Sequence, residues 1–209
     1  LYINKGFSLE DLENTDPKLI KEMRDYYFNQ IESYKKNKNK KITIDKMPLN
    51  LVHVGEILRF FPNAKFILAL RHPYDCVLSC FMQNFMLNHA MANFLNLDDT
   101  LKLYDLTMSL WKRYTNVFAI DHHLIRYEDV VSNFKKTIGD LLKFLNVKWS
   151  DNVIEFYKTA EKRGIINTPS YNQVSQPIYS NSMYRWKNYE KEFSKSNISL
   201  ENWVKEFNY

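Results

Sequence analysis

Lys46, Arg71 and Ser79 are the residues whose types and spacing suit chemistry, and that chemistry is the capture of an anion. Arg71 closes the nearly all-apolar run 65–70, and Ser79 stands eight residues after it. That distance lets a hydroxyl in the early part of a following helix turn back toward the strand end. A guanidinium offers paired donors and a hydroxyl one more hydrogen bond, which together grip a phosphate. Spacing alone fits a surface charge and an ordinary helix serine equally well, because motifs this short often arise by chance.

Residues 42–79 read as strand, loop, helix, strand, loop, helix. Ile42 and Ile44 alternate with polar residues and stop at Asp45-Lys46. Leu49, Val52, Ile57, Phe60 and Phe61 then mark one face of a helical run closed by Pro62-Asn63. The apolar run 65–70 suits a strand covered on both faces, and Pro73 suits the first turn of the next helix. In an open parallel sheet, ligands bind beyond the carboxyl ends of the strands, where Lys46 and Arg71 both fall. The expected fold is α/β, a parallel sheet flanked by helices.

The remaining chain supplies packing elements around this core. Residues 17–34 read as an amphipathic helix and 35–41 as a solvated basic linker. The helix after Pro73 is expected to run on through Phe85-Met86-Leu87, and residues 101–117 form a packing helix. Residues 118–125 form a third strand ending at Arg126-Tyr127, and Glu128 and Asp129 are expected to cap a helix over 130–145. A further helix covers 152–162. Residues 165–182 make a long loop of the kind that is usually functional or disordered, and the tail 198–209 reads as an amphipathic helix that either packs back or docks on a partner subunit. The domain expectation is one unit over 1–209, with a lead-in at 1–41, an α/β core at 42–145 and C-terminal helices with a closing loop at 146–209.

Composition sets limits on function. With 209 residues, 45% hydrophobic and 15% aromatic, the chain can bury a core without metal or disulfide. The net charge of +5 leans toward an anionic partner. No run of about 18 apolar residues suggests a membrane span. Cys76 and Cys80 lack the partner set of a zinc site, and His122 and His123, adjacent in a strand, face opposite sides and cannot share a metal. No metal is assigned.

Four pieces of this sequence, taken in order, resemble a known family. Asp45-Lys46-Met47-Pro48-Leu49-Asn50, Phe61-Pro62-Asn63-Ala64-Lys65 and Arg71-His72-Pro73-Tyr74-Asp75 with Ser79 look like the core of sulfotransferases that use 3′-phosphoadenosine 5′-phosphosulfate. The likeness is chiefly to bacterial sulfotransferases fused to tetratricopeptide repeats, and more distantly to tyrosylprotein sulfotransferases. Arg126-Tyr127-Glu128-Asp129 is similar to the family's strand-ending element. Thr168-Pro169-Ser170-Tyr171, Gln176-Pro177-Ile178-Tyr179 and Arg185-Trp186 resemble its cofactor-closing segment.

The resemblance implies a P-loop-like sulfotransferase architecture and in-line transfer of a sulfuryl group to an acceptor hydroxyl or amine, leaving adenosine 3′,5′-bisphosphate. It implies Lys46 as the catalytic cation, and Arg71, Ser79, Tyr127, Ser170 and Arg185 as cofactor-binding residues. Among the four glycines, Gly6, Gly55, Gly139 and Gly164, none has the spacing of a phosphate-cradling loop. The first strand, the phosphosulfate loop and the catalytic base are therefore expected upstream of Leu1, with His53 the nearest imidazole in view. The alternatives are a non-catalytic nucleotide-binding relic of this fold and a nucleotide kinase of related architecture. The expected partners are the nucleotide and an unidentified acceptor, with no nucleic acid or membrane, in the cytoplasm.

Overall fold

The computed structural model describes residues 14–34, 42–158, 178 and 180–209. The chain divides into two compact units: one runs to Ala64 and adds Leu110–Asp121, the other joins Lys65–Ser109 to His122–Tyr209.

In the first unit, α1 (Pro17–Tyr34) matches the amphipathic expectation and buries Ile20. The single helix expected after Lys46 is in fact a 3₁₀ turn, Pro48–His53, running into α2 (Val54–Phe60), which buries Val54. Gly55 is required by close approach: a Cβ there would stand 3.3 Å from Cε1 of Tyr114. The Tyr114 hydroxyl donates to the Val52 carbonyl at 3.0 Å. The strand expected over 42–44 is not formed. Ile42 and Ile44 are 49% and 71% exposed, so the apolar alternation there is not matched by burial. Alternation records a face that can be covered, and a strand also needs a ladder partner for its backbone groups.

The second unit holds the sheet. β1 (Phe66–Leu70) and β2 (His122–Arg126) pair in parallel, Phe66 opposite His122 and Leu70 opposite Arg126. The described residues thus form a mostly helical α/β structure with a small two-stranded parallel sheet. Between the strands lie α3 (Pro73–Phe81), a 3₁₀ turn at Met91–Leu95 and α4 (Leu97–Val117). Pro73 occupies the first turn of α3 as expected, but the helix stops at Phe81 instead of continuing through Leu87. Asn96 starts α4, its side-chain oxygen accepting the Asp98 and Asp99 amides at 2.8 and 3.4 Å.

The helix expected over 130–145 is broken at Asn133 (φ −145°) into α5 (Tyr127–Ser132) and α6 (Phe134–Phe144). Of the helix expected over 152–162, a 3₁₀ turn at Asp151–Val153 is described, and residues 159–162 lie outside the described ones. Downstream come a 3₁₀ turn, Arg185–Tyr189, then α7 (Glu190–Phe193) and α8 (Glu201–Glu206). The tail does pack back: Leu200 and Trp203 are buried, the Trp203 indole donates to Asp105 at 2.7 Å, and the Leu200 amide donates to the Tyr74 hydroxyl at 3.1 Å. No helix among the described residues is long and apolar enough to cross a membrane.

Leu101 and Leu106 share α4 but differ in environment, at 0% and 56% exposure. Leu101→Ala is expected to cost about 2–5 kcal/mol of stability, the transfer term plus the cavity it leaves. Leu106→Ala is expected to change stability by roughly 0.5 kcal/mol or less. Urea unfolding of both variants checks the pair, and equal losses would contradict the assigned core.

Candidate functional site

The register of the sheet decides what meets at its carboxyl end. Because Leu70 lies opposite Arg126, the next residues, Arg71 and Tyr127, emerge side by side, with the guanidinium carbon 5.6 Å from the Tyr127 ring centroid. One Arg71 Nη donates to the Ser182 carbonyl and lies 4.0 Å from Asp75 Oδ2. Its Nε is buried and has no acceptor among the described residues. Such a donor loses its hydration without replacement, a cost that an incoming oxygen ligand would remove.

Asp75 sits in the first turn of α3 and is 1% exposed. Its two carboxylate oxygens accept the backbone amides of Tyr184 at 2.5 Å and Trp186 at 2.8 Å. Tyr184 holds left-handed backbone, φ 55°, which costs a non-glycine residue about 1–2 kcal/mol. The carboxylate offsets that cost by satisfying the amides on either side of Arg185. The Trp186 ring stacks on His72, centroids 5.0 Å apart at 16°, and lies 4.9 Å from the Tyr74 ring. The segment carrying Arg185 is thereby fixed to the start of α3 by both charge and aromatic packing.

Arg71, Asp75, Ser79 and Arg185, with Leu78, Met82 and Gln83, line one cleft of about 240 Å³. Three of the six site residues expected from sequence thus share a cleft, and Tyr127 adjoins it through Arg71. Ser170 lies outside the described residues. Lys46 belongs to the first unit, where it is exposed and has no carboxylate partner among the described residues. Its neighbour Asp45 is engaged elsewhere, accepting from the Tyr27 hydroxyl at 2.9 Å and the Asn50 amide at 3.4 Å. Burial, aided by that bond and the charge of Asp45, pushes the Tyr27 pKa up to about 12. His53, 38% exposed, pairs its Nδ1 with Glu56 at 3.3 Å. No cluster of metal-ligating residues occurs among the described residues.

Two carboxylates at the end of β2 take roles other than the expected capping. Glu128, expected to cap a helix, turns inward to 5% exposure and accepts the His72 amide at 3.0 Å, tying the end of β2 to the loop after β1. Asp129 makes no cap either: it pairs with Arg126 Nε and Nη2, both at 2.8 Å, and these hydrogen bonds hold its pKa below the usual carboxylate range. The His72 ring is buried among Tyr74, Tyr184, Trp186 and Tyr209, and desolvation lowers its pKa against the opposing pull of Asp75 and Glu128. The sequence signal for Asp75 was present: an acid one turn after Arg71 on an otherwise apolar stretch.

Two parallel strands whose carboxyl ends lead into a cation-lined cleft define an α/β domain with a site at its sheet edge. Residues 5–151 match the Sulfotransferase family, and the chain belongs to that family. It is 31% identical over 180 residues to an uncharacterized protein of Aquifex aeolicus (strain VF5), covering 84% of this chain and 23% of that protein. Over 153 residues it is 28% identical to protein-tyrosine sulfotransferase 1 of Danio rerio, covering 68% of this chain and 41% of the relative. The chain therefore spans less than half the length of these curated relatives. Its fold matches the sulfotransferase domain from the curacin biosynthetic pathway with a TM-score of 0.63 at 18% identity, covering 95% of this chain and 76% of that domain.

Proposed function

We propose that this chain binds 3′-phosphoadenosine 5′-phosphosulfate and serves sulfuryl transfer to an acceptor hydroxyl or amine. The observation that carries this reading is the convergence of Arg71, Ser79 and Arg185 on one cleft. The buried Arg71 Nε, without an acceptor among the described residues, fits the same requirement, since a phosphate oxygen would satisfy it. Family membership and the likeness to protein-tyrosine sulfotransferases support the reaction class.

The roles divide by chemistry. When bound, the phosphosulfate supplies the sulfuryl group and the oxygen that departs with the 5′-phosphate. Lys46 stabilises the charge that accumulates on that oxygen, an interaction stronger in the transition state than in the ground state. Arg71 and Ser79 hold the 3′-phosphate, Ser170 and Arg185 close over it, and Tyr127 backs the Arg71 guanidinium from the β2 side.

Calorimetric titration of adenosine 3′,5′-bisphosphate against 5′-AMP tests the reading. The expected preference for the bisphosphate is about 10- to 100-fold or more, because a hydrogen bond to a charged group contributes roughly 1.5–3 kcal/mol. Equal affinities in the folded protein would overturn the 3′-phosphate assignment.

A further inference from the structure

We infer that Asp75 is a positioning residue that sets selectivity for the 3′-phosphate by holding Arg185 at the cleft; the inference rests on the function proposed above. Its carboxylate touches no ligand in this scheme. It acts through the two backbone amides it accepts, Tyr184 at 2.5 Å and Trp186 at 2.8 Å, which bracket Arg185 in sequence. These are charge-assisted bonds from a side chain that is 1% exposed, so water cannot replace them.

The same carboxylate also governs Arg71. Asp75 Oδ2 lies 4.0 Å from Arg71 Nη2, and Arg71 itself donates to the Ser182 carbonyl in the segment that Asp75 clamps. One acid therefore holds two cations that approach the cleft from residues more than a hundred positions apart in sequence. Without it, the charges of Arg71 and Arg185 would repel across a space of about 240 Å³ before any ligand arrived. The left-handed Tyr184 would also lose what holds it, and the segment would relax away from α3.

Asp75→Asn tests this with little change in volume. Asparagine keeps one acceptor but presents an NH₂ group to the second amide, so one of the two bonds is lost. Hydrogen exchange on the unliganded protein should show the Tyr184 and Trp186 amides losing protection by 10-fold or more, while amides of β1 and β2 are unchanged. Unchanged exchange at Tyr184 and Trp186 overturns the inference whatever the nucleotide does.

The second measurement is a double-mutant cycle on bisphosphate affinity. Asp75→Asn alone should weaken adenosine 3′,5′-bisphosphate about 10-fold and 5′-AMP less than about 3-fold. Placed on Arg185→Ala, the same change should cost less than about 3-fold. Equal losses in both backgrounds would mean that Asp75 does not act through Arg185 and would overturn the positioning role. A wild-type protein that shows no bisphosphate preference, with the exchange result as expected, would instead remove the 3′-phosphate reading and with it the selectivity role, leaving Asp75 as the clamp of the segment.

Discussion

Lys46→Ala is expected to lower turnover about 10³-fold while changing the affinity for adenosine 3′,5′-bisphosphate by less than about 3-fold. The split follows from where charge develops. The bisphosphate carries its negative charge before and after transfer, and in this scheme Arg71, Ser79 and Arg185 bind its 3′-phosphate. The departing oxygen becomes charged only as the sulfuryl group leaves it, so a cation placed there acts on the transition state. Lys46 suits that task as a compact, exposed ammonium that no carboxylate among the described residues neutralises. Asp45 beside it is occupied by Tyr27 and Asn50, which keeps the adjacent acid from folding back onto the ammonium. Release of the bisphosphate from the phosphosulfate under single-turnover and steady-state conditions measures the effect. A loss in binding equal to the loss in turnover would mean that Lys46 holds the ground state and is not the catalytic cation.

The parts legible in the sequence were those fixed by local chemistry. Pro73 announced the start of α3, the nearly all-apolar run announced β1, and the amphipathic pattern over 17–34 announced α1. Arg71 and Ser79 reach one cleft because a strand end and a helical turn place them there, an outcome that their spacing permits.

The illegible parts depended on partners distant in the chain. Asp75 bonds to an amide 109 residues away, and Glu128 to one 56 residues away, so the local sequence named neither donor. A carboxylate in the first turn of a helix is compatible with capping and with burial, and only the tertiary donor decides. The strand expected over 42–44 failed for the converse reason. Its pattern was right for a covered face, but Ile44 remains 71% exposed. The break at Asn133 escaped notice because apolar periodicity continues across it, and a residue at φ −145° interrupts the backbone without disturbing that pattern.

Arg71→Ala is expected to act in the opposite sense to Lys46→Ala, weakening adenosine 3′,5′-bisphosphate about 100-fold, 5′-AMP less than about 3-fold, and turnover at saturating phosphosulfate only slightly. Truncation removes the guanidinium that stands 5.6 Å from the Tyr127 ring and the Nε that has no acceptor among the described residues. The fold should survive, because Asp75 keeps both of its backbone amides and is not left as an unpaired buried charge. Far-UV circular dichroism and urea unfolding check that point. Arg71→Lys refines the test: lysine keeps the charge but loses the planar fork, so it should recover only part of the affinity. Full recovery by lysine would reduce the role to charge alone, and a parallel loss of 5′-AMP binding would place Arg71 away from the 3′-phosphate. Taken with the Lys46 result, opposite effects on turnover and affinity would separate a transition-state cation from a binding cation, whereas matching effects would overturn the division of roles proposed for the two.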